Sequence, residues 1–504
     1  MRSSKQLVWV IVALSAGLWG CGSDSKSSSG PNGGNAATDG GGVADGGDAG
    51  GLATGVASTL KCDVVVSDKD CDKTKRPIVF VHGTYAEGDT FARVASLLGS
   101  NGYCQDRIIG VEYNSIFVDN PGNSCSDASP KVGCGKIDAA IKQILAANPG
   151  FTQVDLAGHS QGTSHCGTYL SVPSQAAKVA HYINLSGAHD VKDVETLSLS
   201  SMHDLGNTPH HATSSTDPTK VKTVTFTDED HFAVADSKRS FIEIYKFLNG
   251  GKAPKYDEVQ CGDEMITVEG ISETFADNQP ITGKLEIHEV GTEARKLGTA
   301  VTVGKSDAPG HFGPLQLKRG VPYVFSGYDN NNKLVGYAYY TPFVRSNYLM
   351  RLLAPASKSD GTAVGGLVAM QTTDKATRDA KSVTAVVRWT GGGFRQDLGA
   401  SLKVDGKEVL TSANAGVEGY KTMNLSGGVA AMFLEDKNKN GKSDLGLVDN
   451  ATFIAFSDVA MDATKPALID FDFIAGSEDS AAAPGKITIS NWPSSDVLVN
   501  VYFQ

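Results

Sequence analysis

Hydrophobic residues follow two different rhythms along this chain, and the change comes near Pro254. Before it, continuous apolar runs alternate with stretches of helical spacing. Pro77-Ile78-Val79-Phe80-Val81 is apolar throughout, as a parallel strand buried on both faces should be. Similar short runs at Arg107–Glu112, Gln153–Ala157, Val179–Leu185, Thr196–Ser200 and Val221–Phe226 predict further strands. Between them Ile137, Ile141, Ile144 and Leu145 recur at helical spacing. Phe241, Tyr245 and Leu248 do so again, ahead of a helix-stopping Gly250. Strands alternating with helices imply an α/β domain, a mostly parallel sheet with flanking helices, over residues 61–254.

After Pro254 the helical period nearly vanishes. Short alternating segments such as Lys284-Leu285-Glu286-Ile287-His288 take over, separated by Gly- and Asn-rich turns. This predicts an all-β sandwich or barrel-like C-terminal region. Residues 255–345 read as one sandwich-like unit, and 346–504 as a second β unit or as strands completing the same layers. The tail from Lys486 to Tyr502 carries two strand-like runs flanking Trp492 and is expected to close a sheet.

Residues 1–20 stand apart from both patterns. Arg2 and Lys5 precede an apolar stretch from Leu7 to Leu18 that is too short to span a bilayer and reads as an export signal. Residues 21–60 are Gly, Ser, Asp and Ala with almost no apolar bulk, a tether that cannot form a core. Leu18-Trp19-Gly20-Cys21 resembles the lipobox of bacterial lipoproteins. That resemblance implies lipidation of Cys21, membrane anchoring and residence in the bacterial cell envelope, on the outer membrane or cell surface. The alternative is an ordinary signal peptide cleaved nearby and a secreted product.

Length and charge narrow the picture further. A chain of 504 residues suggests two or three domains. A formal net charge of −11 offers no basic footprint and excludes a nucleic-acid partner. Eight cysteines in an exported chain suggest disulfides. With Cys21 lipidated, seven remain and at least one stays free; Cys62 with Cys71 and Cys125 with Cys134 are the local pairs expected first.

The chemistry concentrates at Gly158-His159-Ser160-Gln161-Gly162, a G-x-S-x-G pentapeptide that follows directly on a strand-like run. A nucleophile elbow requires that context, a strand turning sharply into a helix with the serine exposed at the bend. A serine hydroxyl needs a base to take its proton and a carboxylate to orient the base. His231, just beyond the last predicted strand, is the candidate base; His210 and His211 are the fallback. Asp204 ends the loop after the penultimate strand and is the preferred acid. Asp190 is the alternative, with Asp193 behind it. Two backbone N–H groups should hold the oxyanion, one from Gln161 and one from Thr84 in the turn Val81-His82-Gly83-Thr84-Tyr85. His82 and His159 flank this chemistry as structural residues. Catalysis of this kind needs no cofactor. Separately, Asp436, Asn438, Asn440 and Asp444 match the first half of an EF-hand-like calcium loop, with Leu447 where the final acid should stand. A polar hairpin turn is the other reading of that loop. Residues Ile116 to Lys136, rich in Gly, Pro and Asn, are a candidate cover for the site.

Taken together, Pro77–Gly83, the Ser160 elbow and Asp230-His231-Phe232-Ala233-Val234-Ala235 resemble the α/β-hydrolase lipases and esterases. Ala176–His181, Tyr340–Arg345, Gly441–Asp444 and the Trp492 segment are similar to two-domain archaeal lipases. There a β-barrel-like domain following the hydrolase domain helps to bind long-chain lipid. The resemblance implies a serine carboxylic ester hydrolase acting on lipid or other esters. A short-chain esterase, a polyester depolymerase and a peptidase share the same triad. In those lipases the acid follows the strand matching Val179–Leu185, where this chain has Ser186-Gly187, so the acid does not carry over. The rival from another class is a surface binding or adhesion protein whose hydrolase domain is inactive.

Overall fold

Alternation within a single strand explains how the first half of the chain folds. In β1 (Ile78–Val81), Ile78 and Phe80 face one apolar cluster while Val79 and Val81 face another, and all four are fully buried. Such a strand is stable only between two layers of helices. The computed structural model describes residues 62–115, 133–275, 277–306, 309–354, 379–415, 429–451, 453–476 and 485–504, all within one compact unit. Cys21, Cys125 and residues 116–132 of the candidate cover lie outside the described residues, while its last four, 133–136, open the helix Gly133–Ala147.

The parallel sheet joins β1 to β2 (Ile108–Val111), β3 (Val154–His159), β4 (Val179–Leu185), β5 (Glu195–His203) and β6 (Val221–Asp230). Their order is β2-β1-β3-β4-β5-β6, every pair parallel. α1 (Ala92–Ser100) covers one face with Val94, Leu97 and Leu98. α2 (Gly133–Ala147) covers the other with Ile137, Ile141 and Ile144, joined by Tyr169 and Leu170 of α3 (Gln161–Leu170). Behind the short α4 (Pro173–Ala176) and α5 (Ala233–Asp236), α6 (Lys238–Leu248) completes the first face with Phe241 and Ile244. Asn249 caps α6, and Gly250 leaves it at φ 62°, in the left-handed region that favours glycine.

Beyond Pro254 the structure is mostly strand. β7 (Met265–Thr274), β10 (His311–Lys318) and β13 (Asn347–Ala354) form a three-stranded sheet in the order β10-β7-β13. A nine-stranded sheet begins with β8 (Gly283–Glu289), β9 (Thr302–Ser306), β11 (Tyr323–Asp329) and β12 (Leu334–Tyr340). It continues through β14 (Ala385–Trp389), β17 (Ala431–Glu435), β18 (Leu447–Ala451), β19 (Ile454–Asp458) and β22 (Val499–Phe503). Strands from both sides of residue 345 therefore share one sheet. β15 (Ser401–Val404), β16 (Lys407–Glu408), β20 (Leu468–Ile474) and β21 (Gly485–Ser490) make a four-stranded sheet.

Two expectations change here. The tail strand β22 sits in the middle of the nine-stranded sheet, parallel to β12 on one side and β14 on the other. Its fully buried Val499, Val501 and Tyr502 suit a position covered on both faces. The disulfides are also long-range: Cys62 pairs with Cys261 and Cys71 with Cys104, not Cys62 with Cys71. Residues near Cys62 run beside Cys261, with Val66 N donating to Cys261 O at 2.8 Å, so the chain return brings the distant cysteine closer than the local one. Cys134 is also disulfide-bonded, whereas Cys166 is free and buried.

Candidate active site

Ser160 stands between the last residue of β3 and the first of α3. Its backbone is at φ 51° and ψ −119°, a conformation an L-residue adopts only when its surroundings impose it. Those surroundings are visible. Ser160 N donates to Leu185 O at 3.0 Å, while Ser160 O accepts from Thr163 N at 3.0 Å and from Thr163 Oγ1 at 2.6 Å. A Cβ on Gly158 would stand 2.9 Å from Cys166 Sγ, and one on Gly162 would run into the Val81 and His82 carbonyls. One on Gly83 would lie 2.8 Å from Ser160 Cβ. Glycine at these places lets the elbow and the turn after β1 approach each other. Thr84 Oγ1 then donates to Gln161 Oε1 at 3.0 Å, tying the two together. Gln161 N–H, first in α3, has no acceptor within its helix.

His231 follows the end of β6, and Asp204 the end of β5. Asp204 Oδ1 lies 2.6 Å from His231 Nδ1, with side-chain exposures of 0% and 1%. The carboxylate can only accept, so Nδ1 carries the proton and Nε2 is left as the basic nitrogen. Ser200 Oγ donates to Asp204 Oδ2 at 2.6 Å, and Leu205 N to Oδ1 at 2.7 Å. Burial alone would raise this carboxyl. The His231 charge, the hydrogen bonds from His231 and Ser200, and nearby Ser186 outweigh it and hold Asp204 below the usual carboxylate range.

Neighbouring histidines hold the frame. His159 Nε2 donates to His231 O at 2.8 Å, and burial lowers its pKa to about 3, so it stays neutral. His210 donates to Leu205 O at 2.9 Å, and His211 bridges Ser198 and Thr225 at 3.2 and 2.8 Å. Asp190 has other partners: it accepts from Ser215 N and Ser215 Oγ, both at 2.6 Å. The Asp193 carbonyl accepts from Lys220 Nζ at 3.2 Å.

The β region forms part of this site, and the spacing of residues along the chain gives no sign of it. Phe453 stacks over the His231 ring, and Gly393 N donates to both oxygens of Asp230, at 3.1 and 3.0 Å. Tyr85 and Phe232, which flank the turn and the base, belong to the apolar core of the β region.

The Asp436–Asp444 loop lies elsewhere. Its side-chain oxygens hold a turn: Asp436 accepts from Asn440 N and Gly441 N at 3.1 and 2.8 Å, and Asn438 and Asn440 donate to Asp444 Oδ2 at 2.8 and 3.1 Å. Among the described residues no group of three or more His, Cys, Asp or Glu is arranged to hold a metal ion.

Residues 76–233 match the family model for the alpha/beta hydrolase fold, and residues 264–357 match that for a lipase C-terminal domain. The sheet order is that of an α/β-hydrolase fold, and the two matches support a lipase/esterase with a C-terminal β domain. Among solved structures, a carboxylesterase from Bacillus subtilis is 12% identical, covering 36% of this chain and 87% of its own, with a TM-score of 0.25. A serine hydrolase without a lid from Xanthomonas campestris is 16% identical, over 40% and 94%, at 0.24. A lipase from Bacillus licheniformis in its propeptide form is 11% identical, over 85% and 95%, at 0.25. At these identities and TM-scores the three structures carry no argument about activity.

Proposed function

We propose that the protein is an exported serine carboxylic ester hydrolase, anchored through lipid at Cys21, that acts on lipid esters through an acyl-enzyme on Ser160. The observation that carries this reading is the buried 2.6 Å contact between Asp204 and His231, whose carbonyl is held by His159, the residue before the strained Ser160. Ser160 Oγ attacks the ester carbonyl while His231 Nε2 takes its proton. The tetrahedral oxyanion is held by the N–H groups of Thr84 and Gln161. As the carbon–oxygen bond to the leaving alcohol breaks, His231 returns the proton to that oxygen. Water activated by His231 then cleaves the acyl-enzyme, and Asp204 offsets the imidazolium charge in both halves of the cycle. No step uses a metal or cofactor.

An alkyl phosphonate probe tests the nucleophile: it should label the wild type and not Ser160→Ala, and an unlabelled wild type ends the enzyme reading. Rates on p-nitrophenyl esters of increasing acyl length test the substrate class. Preference for the shortest chains would replace the lipid reading with a short-chain esterase.

A further inference from the structure

We propose that Arg351, contributed by the β region, is a positioning residue for the oxyanion turn: it holds Glu112 against His82, and His82 holds Gly83 and with it the Thr84 N–H. The inference rests on the assignment of Thr84 to the oxyanion site.

The linkage runs without a gap from the β region to the nucleophile. Arg351 on β13 is 2% exposed, and its guanidinium pairs with Glu112 Oε1, with Nε at 2.9 Å. Glu112 Oε2 lies 3.3 Å from His82 Nε2. On the other side of the ring His82 Nδ1 donates to Gly83 O at 3.0 Å. Tyr113 fixes the same ring from its face, stacked at 4.3 Å and 7°, while its hydroxyl donates to His82 O. Gly83 is the residue whose added Cβ would meet Ser160 Cβ, so a shift of His82 is felt at the nucleophile.

The chain also builds a cavity for this one guanidinium. A Cβ on Gly110 would stand 3.2 Å from Arg351 Nη2, and one on Gly88 would overlap it. Gly88 N donates to Glu112 Oε1 at 2.9 Å, so the turn after β1 is tied to the same carboxylate a second time. Two other interior carboxylates, Glu87 and Asp89, belong to Arg388 of β14, at 2.6 and 3.4 Å.

Charge is assigned unequally around Arg351. Glu273 lies 3.3 Å from its Nε, yet burial and the charge of Glu112 push that carboxyl well above its ordinary value. Burial acts on Glu112 too, but there Arg351 and His82 prevail and hold it low. The geometry runs the same way: Arg351 hydrogen-bonds Glu112, the carboxylate that touches His82, through both Nε and Nη2, and meets Glu273 in a longer ion pair at 3.3 Å. A guanidinium is suited to this because its fork holds a carboxylate in one orientation, which a lysine ammonium does not do.

The test compares Arg351→Gln, Arg351→Lys and Glu112→Gln with Arg345→Gln. Arg345 is an equally buried arginine bound to Gln105 Oε1 at 2.8 Å and Ser100 Oγ at 2.9 Å, away from His82. Active sites are counted by phosphonate titration, so unfolded protein does not enter kcat. In each folded variant of Arg351 or Glu112, kcat per titrated site should fall roughly ten- to hundred-fold with KM within about two-fold. Affinity for a trifluoromethyl ketone, which forms an oxyanion on Ser160, should fall in parallel. Arg345→Gln should lose melting temperature and keep its kcat. If Arg351→Gln does not fold, Arg351→Lys and Glu112→Gln decide by the same criteria. Wild-type kcat per site in any folded Arg351 or Glu112 variant overturns the proposal, even if its melting temperature drops. A wild type that the phosphonate does not label is a failure of the ester-hydrolase reading instead.

Discussion

Phe453 of the β region lies over the catalytic candidate His231, ring centroids 6.0 Å apart and planes 17° from parallel. The same phenylalanine meets Phe232 edge-on at 5.3 Å. An apolar ring in this place keeps water off the imidazole, and the Asp204 pair acts through a lower dielectric than it would in contact with solvent. Phe453→Leu preserves most of the volume and should cost less than about 1.5 kcal/mol of stability. It should nevertheless lower kcat by about three- to ten-fold, because Leu does not cover the ring. A melting curve and a rate on one soluble ester separate the two effects; unchanged kcat removes the shielding role.

Asp204 and Asp190 give opposite expectations for the same substitution. Asp204→Asn keeps the shape but loses the charge that faces His231, and kcat should fall by roughly 10²–10⁴. Asp190→Asn leaves an amide beside Ser215 and should stay within about two-fold of the wild type. Equal losses in the two variants would make Asp190 part of the machinery.

The buried carboxylates predict two pH effects of opposite sign. Asp204 is depressed, so its contribution to stability is present above the ordinary carboxylate range and is lost on acidification. Glu87 is raised to about 7, chiefly by burial and despite Arg388. Its contribution is present below its ordinary value and is lost as pH rises through about 7. Glu87→Gln cannot ionise. Its melting temperature relative to wild type should therefore rise by several degrees between pH 5 and pH 8, and a difference that stays flat or falls contradicts the assignment.

Cys62 and Cys261 close a loop with a sequence separation of 199 residues, which restricts the unfolded chain strongly. Replacing both by serine should cost about 2–5 kcal/mol. Melting of the double variant beside that of Cys71→Ser/Cys104→Ser, whose loop has a separation of 33, should show the larger loss for the longer loop.

Much of the hydrolase half is readable from local pattern, because a strand buried on both faces announces itself as an apolar run. The six parallel strands fall where those runs lie, and Val179–Leu185 matches its run end to end. Ser160 is legible for a related reason: the elbow is a local turn that needs its two glycines. Asp204 is legible only as a topological position, since any aspartate after the right strand reads alike. The disulfides were not legible, as spacing says nothing about where the chain returns. Arg351 and Arg388 left a signal that periodicity does not weigh. Each is a lone charge inside an otherwise apolar strand, Leu349–Ala354 and Ala385–Trp389, where a partner must be buried with it. Phe453 leaves none, because its contact with His231 is made across the whole fold.

The central placement of β22 bears on how the molecule assembles. Without β22 the nine-stranded sheet would fall into two parts, because β12 and β14 each hydrogen-bond to β22 and not to each other. Loss of β22 would therefore open two strand edges at once, and an unpaired edge invites pairing with another chain.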